Sequence, residues 1–500
     1  MSEPQKLHPI SYMTGIINAI KQNFIIIILF FLFGICNFDF TNPYSYLSPG
    51  VFALIFLITF IANILRVYNT RYWLEERYFI VRSGVLNIKR KEIDIRRIQS
   101  IDTQQELAQR LVGGVKLQIK TPSDGVDLES VSRAQSEAIE QAIQHAQHRL
   151  DGDVTETEMN QEETHDDQAA QADVPVHHLY HLTFKEVLFM AMTSGAIGAT
   201  IFTVGPIVLS VNQYIPWDKL FGEFSHLIQS AVTFGIILVL VFLVLCYIIG
   251  TGIEFVRNYG FTLRQTGHQL KIRYGLISVK SVTVPTNRVQ AVEEKQSYLR
   301  KLFGYTSLSL IITSDMEDGD GEATPHGHVT CLPFIKRDKG YELLNQLVPS
   351  MRFGQVQPGM PWRSFHRYFW RESLILLAIA AIVHYFWQPY LYIAAGVIIA
   401  LLIIRSVLAI KNSGSRIIDD EISIRNARLF SMKQYYIKQD KLIGMTIKSN
   451  PFMQRSHLQT FKVTIAQAAT NQHIGLRFAE QQTSQEVKDW YLGGGRDVTL

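Results

Sequence analysis

The sequence predicts a polytopic α-helical membrane protein carrying three soluble α+β domains. Three observations predict it. Apolar runs too long and too uncharged for soluble helices come in three pairs. Each pair is followed by short β-branched and aromatic runs that close in one helix. One stretch of the chain also occurs twice almost intact, and an internal repeat fixes architecture before any single residue is interpreted.

The repeated stretch is Arg97-Ile98-Gln99-Ser100-Ile101 with Leu107-Ala108-Gln109-Arg110-Leu111-Val112-Gly113. It aligns without a gap with Arg288-Val289-Gln290-Ala291-Val292 and Tyr298-Leu299-Arg300-Lys301-Leu302-Phe303-Gly304. Upstream, Gly84-Val85-Leu86 matches Gly275-Leu276-Ile277; downstream, Leu117 and Ile119 match Leu308 and Leu310. A third copy is degenerate: counting back from Leu442, Arg428 stands in place of the upstream glycine, and the downstream glycine is also replaced. The repeat glycines Gly84, Gly113, Gly275 and Gly304 are assigned structural roles, since glycine is the default where the chain needs positive φ.

Residues 1–70 form the first hairpin. Its apolar runs are 24–36, extended upstream by Ile16, Ile17 and Ile20, and 51–67. The run Ile25 to Phe33 is apolar on every face, which a soluble amphipathic helix is not. Residues 71–150 read as several antiparallel strands closed by a helix at 132–150. Residues 151–176 are a linker. Its acidic part, 151–173, contains no Lys or Arg and is expected to be disordered, because it has too little apolar surface to offset ordering entropy. The second hairpin is 177–257, with runs at 187–211 and 227–256, and small residues at Gly195, Gly198 and Gly205 suited to close helix packing. The second domain is 258–350, the third hairpin 351–410 and the third domain 411–500. Paired spans put every domain and the N-terminus on one side. The opposite loops hold a single basic residue, Lys219, while the domain-side flanks hold Arg66, Arg71, Arg257, Arg264, Arg363, Arg371, Arg405 and others. The positive-inside rule then places the domains in the cytoplasm.

Several function classes are disfavoured. A formal net charge of +4 is no nucleic-acid signature. Cys36, Cys246 and Cys331 are scattered and odd in number, so neither a disulfide framework nor a zinc site is expected. No Ser-His-Asp, Walker or zinc-hydrolase pattern appears, and no enzyme, cofactor or metal is expected. Asp318, Asp320 and Glu322 lack full calcium-loop spacing and read as a hairpin tip; His326 and His328 lack a third ligand. His8, His181 and His366 recur before each hairpin and read as interfacial helix starts. Ionisable residues are absent from span centres, with His384 near an end, which disfavours a transporter. The polar residues Thr193, Ser194, Thr200, Thr203, Ser210, Ser230 and Thr233 keep lipid or small-molecule passage as an alternative.

Basic residues cluster in each domain. The first holds Lys89, Arg90, Lys91, Arg96 and Arg97; the second Lys271, Arg273, Lys280, Arg288, Arg300 and Lys301; the third Arg425, Arg428, Lys433, Lys438 and Lys441. Near an anionic leaflet each cation is worth about 1 kcal/mol. The candidate binding surface is therefore Arg96, Arg97, Arg288, Arg300, Lys301, Lys438 and Lys441. Ordinary solvated strand faces are the competing reading, with Arg97 and Arg288 bracing a strand pair.

The Gly-Val-Leu…Arg-Ile-Gln-Ser…Leu…Gly pattern after a membrane hairpin resembles the membrane-anchored bacterial PH-like domains. A chain of three such units looks like the YdbT-type membrane proteins of Firmicutes. The resemblance implies a curved antiparallel sheet of about seven strands capped by a helix, in a bacterial cell membrane. It implies no enzymatic activity, but binding and scaffolding at the inner membrane face, in envelope stress or resistance to membrane-active peptides. The partner it implies is a smaller PH-like membrane protein of the same family; anionic lipid headgroups are the partner that the basic clusters suggest. An anionic-lipid sensor or lipid transporter is the alternative.

Overall fold

The computed structural model describes residues 3–7, 9, 11–13, 16, 47–85, 87–98, 100–106, 109–110, 113–121, 125–155, 177–195, 231–267, 269–313, 327–386, 391–467 and 470–493. The first expected span at 24–36, most of the third at 187–211, the acidic linker beyond Thr155 and the tip holding Asp318, Asp320, Glu322 and His326 lie outside them.

The first repeat comprises β1 (Gln5–Lys6), α1 (Leu47–Asn69), β2 (Arg71–Glu75), β3 (Tyr78–Ser83) and β4 (Lys89–Asp94). A 3-10 turn follows (Ile95–Arg97), then β5 (Ser100–Gln105), β6 (Gly114–Lys120), β7 (Gly125–Ser132) and α2 (Arg133–Thr155). The second comprises β8 (His177–His181), α3 (Phe184–Met192), α4 (Ala231–Asn258), β9 (Thr262–Thr266), β10 (Gln269–Tyr274) and β11 (Val279–Pro285). Its turn is Thr286–Arg288, followed by β12 (Val289–Ser297), α5 (Tyr298–Leu302), β13 (Tyr305–Ile312), β14 (His328–Lys336) and α6 (Arg337–Leu347). The third comprises α7 (Phe365–Phe386), α8 (Leu391–Asn412), β15 (Gly414–Ile418), β16 (Glu421–Ala427) and β17 (Ser431–Lys438). Its turn is Gln439–Lys441, followed by β18 (Leu442–Lys448), α9 (Pro451–Gln454), β19 (Leu458–Gln467), β20 (Thr470–Glu480) and α10 (Gln481–Tyr491). After each of α1, α4 and α8 the strand order is the same: three strands, a 3-10 turn, three strands, a helix. The helix expected at 132–150 continues to Thr155, so the start of the presumed linker is helical.

The chain divides into two compact units. One is Met1–His177 with Gln265–Pro285; the other is His178–Arg264 with Thr286–Leu500. In the first, β1 to β4 form one antiparallel sheet, and another runs β7-β6-β5-β11-β10. Tyr72, Phe79, Ile95, Leu117, Ile119 and Leu128 meet Ile139 and Ile143 of α2 in its core. In the second, one sheet runs β14-β13-β12-β17-β16-β15 and another β18-β19-β20. Its core joins Ala291 and Ile311 to Ile422, Tyr435, Phe461 and Val463. Among the described residues two helical stretches, Val239–Asn258 and Ala395–Asn412, are long and apolar enough to cross a membrane; Leu54–Asn69 is shorter.

The repeat glycines occupy equivalent geometry. Gly84 and Gly275 have φ of +122° and +109°, and a Cβ there would lie 2.0 and 1.9 Å from the carbonyl oxygens of Asn87 and Ser278. Gly113 and Gly304, at +74° and +72°, have open space around them, so only their backbone conformation calls for glycine. His457 takes the place of Gly304 in the third copy, and it retains the left-handed conformation at φ 52°. The degenerate copy therefore keeps this turn at the expense of backbone strain.

Candidate functional site

The sheets are shared between successive repeats. The third strand of a repeat bonds to the fourth strand of the repeat before it. β11 pairs with β5, with Lys280 opposite Gln104 and Ser281 opposite Thr103. β17 pairs with β12, with Lys433 opposite Lys295 and Gln434 opposite Glu294. Gln104 and Lys295 are equivalent positions of the repeat, as are Lys280 and Lys433. The two junctions therefore use one register.

Each junction holds a buried carboxylate at the same repeat position. Asp102 accepts from the Thr283 backbone N–H across the first junction at 2.9 Å and pairs with Lys120 at 3.3 Å. Glu293 pairs across the second with Lys433 at 2.9 Å and with His328 at 3.3 Å. Burial alone would push the Glu293 carboxyl up; His328 and Lys433 outweigh it and hold it at about 2. Its neighbour Glu294 accepts from Arg337 Nε at 2.8 Å and Nη2 at 3.2 Å, from the Tyr341 hydroxyl at 2.6 Å and from Thr306 Oγ1 at 3.0 Å. Tyr341 also bonds the Tyr436 hydroxyl on β17, and Gln434 Nε2 donates to Tyr436 at 2.8 Å. Burial opposes the Glu294 charge, but Arg337, Tyr341 and Thr306 leave its carboxyl below the usual range. The bonds around Glu294 tie β17 to β12 through Tyr341 and Tyr436.

The seven basic residues singled out from sequence occupy different local settings. Arg97, Arg288 and Lys441 each end the 3-10 turn that joins the two halves of a repeat; Arg97 and Arg288 are exposed there and Lys441 half-exposed. Arg96 is exposed beside Arg97, and its backbone N–H caps onto Asp94. Lys438 pairs with Asp420 at 2.9 Å and Lys441 with Asp440 at 3.2 Å. Arg300 turns inward, donating to the carbonyls of Met190 and Pro333 and to Thr193 Oγ1 at 3.2 to 3.3 Å. Burial lowers its pKa to about 10, and its role is to clamp the start of the second hairpin to the domain. Lys301 lines a cavity of about 70 Å³ with Glu294, Arg337 and Arg425. Of the polar residues considered for a path, Thr193 bonds Phe189, Met190 and Arg300, and Ser194 bonds Ala191.

Sequence reasoning missed Asp102, Glu293 and Glu294. Their signal was available: an acid at the same position of both intact copies, inside a run otherwise patterned for burial.

The bacterial PH domain model matches residues 24–147, 207–350 and 374–494, most of the chain. The chain belongs to the bacterial PH domain family. Each matched segment spans one set of six strands with its 3-10 turn and all or most of its closing helix. The chain is also 25% identical over 493 residues to "UPF0699 transmembrane protein YdbT" of Bacillus subtilis (strain 168), covering 98% of each chain. No solved structure matches it. It is thus a transmembrane protein with repeated PH domains. Each PH domain contributes half of a sheet to its neighbour in sequence.

Proposed function

We propose that this chain is a non-enzymatic scaffold at the inner face of a bacterial cell membrane, with six spans and three cytoplasmic PH domains. The observation that supports this reading most is the pair of shared-sheet junctions. Buried, ion-paired carboxylates at both junctions serve cohesion between domains, and a scaffold needs that cohesion to present several surfaces together. The exposed turn ends at Arg97 and Arg288 are the surfaces offered to protein partners, a smaller PH membrane protein among them. Fold by itself does not give function, so the test is direct. Crosslinking in native membranes followed by mass spectrometry compares the intact protein with an Arg97→Ala/Arg288→Ala variant. Captured proteins that vanish in the variant support the scaffold. Capture of the same proteins by both forms assigns these arginines to structure and removes the proposed partner surface.

A further inference from the structure

The register shared by the two junctions leaves one strand edge unmatched. Eight residues before the end of the 3-10 turn, each repeat carries a lysine: Lys89 on β4, Lys280 on β11 and Lys433 on β17. The junction acid stands five residues past the turn, on the fourth strand of the preceding repeat. It is Asp102 at the first junction and Glu293 at the second. There Lys433 Nζ lies 2.9 Å from Glu293 Oε1. Lys280, where β11 lies against β5, is only 9% exposed.

Lys89 has no such neighbour. β4 ends the sheet β1-β2-β3-β4, and among the described residues no strand bonds its outer edge. Lys89 is exposed and, among the described residues, makes no ion pair. Its companions on the strand are engaged. Arg90 pairs with Glu92 at 2.7 Å, Lys91 donates to the Gly125 carbonyl, and Asp94 pairs with Arg77 at 2.6 Å. Ile93 packs into the core. β4 thus presents the backbone edge and the lysine that β11 and β17 use at their junctions, and an open edge is a template for strand addition.

No fourth strand among the described residues suits that edge. β5 and β12 are bonded on both sides. β18 ends its sheet, but it has Thr446 where Asp102 and Glu293 stand. In the junction register Lys448 of a second copy would face Lys89, as Lys295 faces Lys433, with no carboxylate to offset the two charges.

We propose that β4 is the docking edge for a different PH-domain protein, one whose fourth strand is unpaired and carries Asp or Glu five residues past its turn. That strand adds antiparallel to β4 in the junction register, and its carboxylate closes on Lys89. The proposal rests on the scaffold reading and names the chemistry of a partner; Arg97 and Arg288 take no part in it. The probe is a fluorescein-labelled peptide copying β12, Val289–Ser297, which carries Glu293. It is titrated against full-length protein in micelles and read by anisotropy. The peptide binds, and Lys89→Glu weakens it about tenfold, the scale of close charge pairs across interfaces. A Glu293→Lys peptide binds wild type as weakly and regains the original affinity on Lys89→Glu. Lys488→Glu, a reversal on the exposed face of α10, leaves affinity unchanged. A peptide copying β18, Leu442–Lys448, binds at least about tenfold more weakly than the β12 peptide. Three results would overturn the proposal: no binding of the β12 peptide, no rescue by the reversed pair, or equal binding of the β18 peptide, which would make the edge a contact between copies of this chain. Any of these, with partners still captured through Arg97 and Arg288, would remove the edge and leave the scaffold reading standing.

Discussion

Replacing Glu294 with Gln removes one charge from the second junction and leaves its shape nearly intact. Glu294 is almost fully buried, and Arg337, Tyr341 and Thr306 all donate to it. Breaking a buried ion pair costs about 3–5 kcal/mol, because the remaining charge is uncompensated. The Arg337 side chain is 29% exposed, so water recovers part of that cost. Thr306 and Tyr341 keep acceptors in the glutamine carbonyl and Tyr436. A net loss of about 2–3 kcal/mol follows, which is roughly a hundredfold in the opening equilibrium at 1.4 kcal/mol per decade. Hydrogen–deuterium exchange of the full-length protein in micelles reads this directly. Amides of β12, β17 and the start of α6 should exchange faster by about that factor, while β18 to β20 change little. Glu480→Gln, which breaks an exposed pair with Arg363, is the control and should have almost no effect. Unchanged protection of β12 and β17 in Glu294→Gln would show that the network does not hold the junction.

Three further outcomes are expected. Gly84→Ala and Gly275→Ala should each cost at least about 3 kcal/mol in thermal unfolding, because the new Cβ meets a backbone carbonyl; Gly113→Ala and Gly304→Ala should cost only about 1–2, and His457→Gly should stabilise. Arg300→Met should loosen the second hairpin from its domain, seen as proteolysis near Met192, with unchanged affinity for anionic vesicles; a loss of vesicle binding without loosening would return Arg300 to the surface. Glu293 has a depressed pKa, so its contribution is complete above the ordinary carboxylate range and disappears as pH falls toward about 2. Exchange at the β12–β17 junction should rise across that window in wild type, and a Glu293→Gln variant showing the same rise would locate the acid sensitivity elsewhere.

The parts of the fold legible in sequence were those that local physics writes. Gly84 and Gly275 stood out because they recur at one position of the two intact copies, and the strand-then-helix order followed from periodicity. Strand partnership was not legible. β11 could bond to β12 of its own repeat or to β5 of the preceding one, and alternation of side chains is the same in both. The choice is made by the 3-10 turn at Thr286–Arg288, whose three residues carry little signature. The inward turn of Arg300 was not legible for a related reason. Basic residues were grouped by nearness in sequence, which joined the inward-facing Arg300 to exposed Arg288.

The central claim is that each PH domain completes its sheet with its neighbour. Disulfide trapping tests it most directly, in the full chain with Cys36, Cys246 and Cys331 replaced by alanine. Cysteines at Gln104 and Lys280, or at Lys295 and Lys433, should bridge within one chain, since each pair lies directly opposite across a junction. Cysteines at Lys280 and Lys295, the third and fourth strands of a single repeat, should not. Bridging of Lys280 to Lys295, with neither junction pair formed, would mean that each PH domain closes on itself and would contradict the account.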